Sequence, residues 1–410
     1  MRRPLGKPSA KHSRMGVRLD RALLLALVAC KSKRDLRHDD LMPETPEPPP
    51  VVAVADAGRV DAPGPWPELA ALPTVEPTYI VALPTKADQP RFEVAGPAIL
   101  GDLALVASSQ FGFAAVDWRR GQIAWSKPAG AHVAPPIAVD GNAVLIGTCV
   151  NPPDVADTLL GCLRSVMPTG ADQAYVAIHG KVPAFAASSG TQDVWRDGEH
   201  AVRWRRGDEA VAIDLLSGVA KPASAKPPPL AVDYKGKHWA VEQTADGKIV
   251  AAGTPPWKTE RAYTELLAAV YLPEQAPMVR VVNRGAFKGH PEIMLMDMDG
   301  TGSMHGQVAF PIPGIAVTSH AASAVGDVAM AIRLDASLER DYVAGYAASA
   351  LLMWVYPLPV LPRPDPVGVA IAAEAVVVFH DGDTVTILPE LSAPPTAPGA
   401  VRAPLQNPTP

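Results

Sequence analysis

Cysteine is scarce: the chain has three in 410 residues, at positions 30, 149 and 162. No CxxC pair or CxxCH motif occurs, which removes the common spacing for a zinc site and any covalent haem attachment. Charge is scarce as well, at 19% of residues with a formal net charge of −5. There is no basic stripe to bind nucleic acid and no acidic block to gather cations. The apolar run near the N-terminus, Ala22 to Ala29, is eight residues long by its own numbering, against the ~20 needed to cross a bilayer as a helix. HExxH, G-x-S-x-G and a lysine-bearing phosphate loop are missing too, so the usual zinc-protease, esterase and nucleotide signatures give no lead. Proline is abundant instead, with 45 residues, roughly twice its usual ~5% share. Proline suits loops and strand edges and is badly tolerated inside long helices.

Arg14, Arg18 and Arg21 precede the apolar run, which ends in Leu27-Val28-Ala29-Cys30. A basic stretch followed by a short apolar segment reads as an export signal. The last four residues resemble the lipobox of bacterial lipoproteins, in which cleavage precedes a cysteine that becomes acylated. The resemblance implies a signal peptide over 1–29, a lipid anchor on Cys30 and, with Lys31 following, retention at the outer membrane. Met15 is a second candidate start. With Cys30 acylated, Cys149 and Cys162 remain as an even pair, and an oxidising compartment predicts a disulfide between them. Residues 30–76 (KSKRDLRHDD, PETPEPPP, APGPWPELAALP) read as a charged, polyproline-like tether. The tail 392–410 has the same character.

Between these lies a body, 77–391, built from short strands and turns. LALVASS, AVLIGT, AVAID, HWAVEQT, KIVAAG, IMLMDM, VAMAIRL, LLMWVY, AVVVFH and TVTILP have strand composition. Asp-Gly pairs at 139–142, 245–248 and 380–383 mark tight hairpins. ERAYTELLAAVYL, 260–272, is the one stretch whose composition favours a helix. GPAILGDLALVAS, starting at Gly96, is echoed about forty residues later by APPIAVDGNAVLIGT. Such a period, with four strands per unit, predicts an all-β propeller of about seven four-stranded blades, with six and eight allowed. The last unit is expected to close the ring beside a strand near Tyr79–Leu83.

The corner FAAVDWRRGQIAW, 113–125, recurs as EAVAIDLLSGVA at 209–220 and YVAGYAASALLMW at 342–354. Ala115, Asp117, Gly121 and Trp125 resemble the A-x-D-x-x-x-G-x-x-x-W repeat of the PQQ-like, or quinoprotein-like, β-propeller superfamily. Asp214, Gly218 and Trp354 are decayed copies. The resemblance implies that the aspartate caps the turn, the glycine takes its tight position, and the tryptophans lock neighbouring blades. It also raises the question of quinone chemistry. The family's dehydrogenases carry adjacent cysteines and a calcium site, neither of which maps here, so no cofactor is expected. Asp297 and Asp299, in DMDGTG, are weak cation candidates, but the run lacks the far acidic ligand of a calcium loop. The histidines at 132, 179, 200, 238, 290, 305, 320 and 380 would have to converge in space to form a site. Trp195, Arg196, Arg203, Trp204, Arg205 and Arg206 form a basic, aromatic cluster that reads as a hairpin with snorkelling arginines or as a partner-binding edge.

The resemblance to the lipoproteins of outer-membrane protein assembly is one of architecture. It implies a monomeric, non-enzymatic docking scaffold whose partners are envelope or outer-membrane proteins, with the membrane reached through the lipid. The alternative is an enzyme or sensor using the central channel for PQQ, a sugar or calcium.

Overall fold

Short apolar runs separated by tight turns can satisfy their backbone only by pairing with one another. Here they pair in fours. The computed structural model describes residues 73–85, 93–150, 161–180, 192–234, 237–253, 256–259, 262, 265–270, 278–287, 290–298, 304–309, 314–323, 326–334, 341–347, 351–359 and 367–391. Residues 1–29, read above as a signal peptide, together with Cys30, nearly all of the expected tether and the expected tail 392–410, lie outside them.

Twenty-eight strands form seven four-stranded antiparallel sheets among the described residues. After β1 (Tyr79–Ala82), sheet 1 holds β2 (Val94–Leu100), β3 (Leu103–Ser108), β4 (Gly112–Asp117) and β5 (Gln122–Lys127). Sheet 2 holds β6 (Ile137–Val139), β7 (Asn142–Thr148), β8 (Gly161–Val166) and β9 (Asp172–Ala177). Sheet 3 holds β10 (Gln192–Arg196), β11 (Ala201–Arg206), β12 (Glu209–Asp214) and β13 (Ala220–Pro222). Sheet 4 holds β14 (Leu230–Tyr234), β15 (Lys237–Gln243), β16 (Ile249–Ala252) and β17 (Trp257–Lys258). Sheet 5 holds β18 (Glu265–Val270), β19 (Met278–Phe287), β20 (His290–Met298) and β21 (Met304–Ala309). Sheet 6 holds β22 (Gly314–Ala322), β23 (Val328–Leu334), β24 (Asp341–Tyr346) and β25 (Leu352–Pro357). Sheet 7 is composite: β26 (Gly368–Ile371), β27 (Ala375–His380) and β28 (Thr384–Pro389) are completed by β1 from the other end of the chain. Tyr79 pairs with Ile387 and Ala82 with Thr384, so the last blade is sealed by the first strand.

The first strand of each sheet faces the centre. β26 touches both β22 and β2, β2 touches β6, β6 touches β10, and β18 touches β14 and β22. An antiparallel meander then places two kinds of corner at opposite ends. First-to-second and third-to-fourth strand corners share one end, the hairpin end. Second-to-third corners and the blade-to-blade connections share the other, the connector end.

Each sheet has two faces to cover, and neighbouring blades cover them. This is why β3, LALVAS, is buried along its whole length instead of alternating. Between sheets 1 and 2, Leu105, Phe113 and Trp125 pack with Leu145 and Val166. Between sheets 2 and 3, Ile146 and Leu163 meet Trp204 and Ile213. Trp354 of sheet 6 lies among Val369, Val376 and Val378 of sheet 7, and Phe379 and Ile387 of sheet 7 pack with Val106 and Val116 of sheet 1.

One expectation is corrected. The apparent helix at 260–272 contains β18, the inner strand of sheet 5. A short apolar run carries no periodicity that separates strand from helix, and pairing to β19 decides the matter.

Candidate functional site at the corners and the connector end

The repeat corners have a common geometry. Asp117 ends β4, and its Oδ1 accepts the backbone N–H groups of Arg119 at 3.1 Å and Arg120 at 3.0 Å. The Gly121 amide donates to the Asp117 carbonyl at 2.8 Å, with φ at +62°. Asp214 repeats this, accepting from the Leu216 amide at 3.1 Å and from the Ser217 amide at 2.7 Å, with Gly218 at φ +70°. The bonds from Ser217 hold the Asp214 carboxyl below the usual carboxylate range.

The glycines have a second role. A Cβ on Gly121 would collide with the ring of Tyr79, the first residue of the outer strand of sheet 7. A Cβ on Gly218 would collide with the Ala177 carbonyl at the end of the outer strand of sheet 2, and one on Gly170 would come within 3.0 Å of Trp125. In three successive places, then, the outer strand of one blade rests on the corner glycine of the next. Trp125 is the clearest case, because its Nε1–H also donates to the Pro168 carbonyl of that corner at 3.1 Å. A register shift between β4 and β5 puts an extra residue just before Trp125, and one between β24 and β25 does the same before Trp354. Sheets 2 and 5 shift at the same place. Bulges re-aim the side chain that follows them, which sends the tryptophan into the next blade.

Cys149 and Cys162 form a disulfide between the end of β7 and the start of β8, with Cα atoms 5.0 Å apart and both residues buried. The bond closes a corner of the connector end. Beside it, the Tyr175 hydroxyl donates to the Val150 carbonyl at 2.9 Å, and the Arg164 guanidinium lies 4.4 Å above the Tyr175 ring.

The basic, aromatic cluster is paired throughout. Arg203 and Arg205 flank Trp195 on one face of sheet 3 and bind Asp197 and Asp193. Arg196 binds Asp140 at 2.9 Å, and Arg206 binds Glu93 at 2.8 Å. Four arginines that look like a cationic patch in sequence are each matched by a carboxylate.

The Arg206–Glu93 pair belongs to a cluster that no motif announces. Glu93 precedes β2, His132 and Val133 precede β6, Gln192 opens β10 and Arg206 ends β11. All lie at the connector end near the axis. The Glu93 side chain is 8% exposed and that of Arg206 11%. Glu93 Oε1 accepts from Gln192 Nε2 at 3.1 Å and lies 3.5 Å from His132 Nδ1, while Oε2 accepts the Val133 amide at 2.7 Å. Gln192 Oε1 in turn accepts from Trp204 Nε1 at 3.2 Å. One carboxylate therefore clasps three blades, and its lone pairs are occupied in doing so. Among the described residues, His132 is the histidine that joins this cluster.

His380 belongs to a separate buried line at the sheet 6–sheet 7 seam. Its Nδ1 is 3.0 Å from the Asp381 carboxylate, and its Nε2 is 2.8 Å from the Thr386 hydroxyl. Burial raises the pKa of neighbouring Tyr356, and a hydrogen bond with Thr386 opposes that shift. Thr386 is fully buried and His380 nearly so, which places this constellation inside the seam. Asp297 lies near the end of β20 and Asp299 falls outside the described residues. Among the described residues, no group of three or more His, Cys, Asp or Glu is placed to hold a metal ion.

No family model matches the chain, and no curated protein matches its sequence. Solved structures similar to it include BamB from Moraxella catarrhalis, at 12% identity over 77% of this chain and all of that one, with a TM-score of 0.35. A chain of the mitotic checkpoint complex is similar at 12% identity over 82% and 98%, with a TM-score of 0.42. Kluyveromyces lactis Hsv2 is similar at 10% identity over 72% and 90%, with a TM-score of 0.39. Scores and identities this low assign neither family nor function.

Proposed function

We propose that this chain is a lipid-anchored β-propeller of the bacterial envelope that serves as a non-enzymatic docking scaffold for envelope or outer-membrane proteins, in outer-membrane protein assembly or envelope maintenance. The observation that carries the reading is the consumption of interior polar chemistry by architecture. Glu93 binds Arg206 and Gln192, and Arg203 and Arg205 are bound by Asp197 and Asp193, which leaves the corner loops of a sealed ring as the working surface. Loops held on a rigid frame are suited to recognition. The buried Cys149–Cys162 bond fits an oxidising compartment, and Cys30 with its preceding lipobox supplies the tether. The corners of sheets 1 and 3 support membership of the quinoprotein-like repeat family.

Affinity purification of the full chain from detergent-solubilised envelopes tests this. The expected result is a stoichiometric membrane-protein partner, with the Cys30→Ser variant no longer sedimenting with membranes. A retained small molecule without a protein partner would favour the central-channel reading instead.

A further inference from the structure

One end of the ring gathers most of the exposed large apolar side chains among the described residues. Among the described residues, the exposed large apolar side chains are Tyr79, Met167, Leu216, Val219, Leu230 and Leu351. Single exposed apolar residues are ordinary on any protein. Their placement is not: all but Leu230 sit on third-to-fourth strand corners of the hairpin end. Leu216 and Val219 belong to the corner of sheet 3, Met167 to that of sheet 2, Leu351 to that of sheet 6, and Tyr79 rests on that of sheet 1. Leu216 is 75% exposed at the tip of a turn made rigid by Asp214.

The same end carries surplus negative charge among the described residues. Asp102 and Glu374, about 60% exposed each, share one arginine, Arg119, and the neighbouring Arg120, 74% exposed, is matched by Asp117. Asp140 is matched by Arg196, but Glu199 is 81% exposed beside His200, and Asp214 is held mainly by hydrogen bonds from Ser217. An acidic surface studded with fixed apolar tips repels anionic lipid headgroups and nucleic acid. It complements a chain that presents lysine or arginine between apolar side chains.

We propose that the hairpin end is the docking face, and that its occupant is a basic, apolar-tipped segment of a partner protein. This rests on the scaffold reading and adds to it the face and the chemistry of the partner.

Two measurements test it on the full chain. The first uses a short peptide alternating leucine and lysine as probe, with a leucine–glutamate peptide as control. The lysine peptide is expected to bind and the glutamate peptide not. The Leu216→Glu, Glu199→Lys double variant should weaken binding ~10-fold or more, while Asp208→Lys at the connector end leaves it within about twofold. Both altered hairpin-end positions are exposed, and circular dichroism checks that the fold persists. Equal binding of the two peptides, no binding, or equal loss from Asp208→Lys overturns the proposal. The second places a photo-cross-linking residue at position 216 or 208 in cells. Protein adducts from 216 and not 208 support the face. Adducts from 208 alone overturn it while leaving the docking reading in place, and adducts from neither overturn both.

Discussion

Gly121 shows how much one residue can decide. Its positive φ disfavours any other residue by roughly 1–2 kcal/mol, and the ring of Tyr79 occupies the space a Cβ needs. Gly121→Ala is therefore expected to cost about 1–3 kcal/mol in urea unfolding, more than an ordinary surface glycine would. Trp125→Ala removes a buried ring that binds two blades and should cost about 3–5 kcal/mol. Asp214 gives a pH signature. Its carboxyl is lowered in the folded state, so the unfolded chain holds the proton more tightly. Its stabilisation is present above the unfolded pKa of about 3.9 and disappears as pH falls below that through the lower folded value. Asp214→Asn should flatten the acid limb of a midpoint-against-pH curve in that window and change it little near neutrality. These residues were legible in the sequence because the corner is local: turn cap, turn glycine and bulged tryptophan fall within a dozen positions. The seating of each glycine under the preceding blade was not, since it depends on which strands become neighbours.

At the scale of elements, legibility followed burial. Strands such as β3, β7 and β27 are buried on both faces and read as unbroken apolar runs. β10 and β11 do not, because Trp195, Arg203 and Arg205 form an ion-paired face that looks like surface when read one residue at a time. The composition around β18 favours helix, through Leu, Ala and Glu, and pairing to β19 overrides that preference. The Cys149–Cys162 bond lends itself to measurement. If it acts by restricting the unfolded chain, its reduction should lower stability by about 3 kcal/mol, seen as a lower denaturant midpoint with reductant. The Cys149→Ser, Cys162→Ser double variant should match the reduced protein.

For the whole molecule, the clasp around Glu93 and the seal by β1 turn seven sheets into one body. Glu93 and Arg206 are 113 residues apart, and neither stands in a motif, so sequence offered no route to their pairing. Glu93→Ala leaves a buried guanidinium uncompensated and should cost about 3–5 kcal/mol. Glu93→Ala with Arg206→Met should recover part of it, because the isolated charge is then gone. The seal was legible, because the last repeat unit lacks a fourth strand and Tyr79–Leu83 supplies one. Everything proposed for the surface depends on that seal, since an open ring would not hold its corners in fixed relation. Hydrogen–deuterium exchange of the intact protein tests it most directly. The amides of Tyr79–Ala82 that bond to β28 should be protected to the same degree as those of Thr384–Pro389, with both segments released together in denaturant. Free exchange of Tyr79–Ala82 while β27 and β28 stay protected would contradict the closed ring.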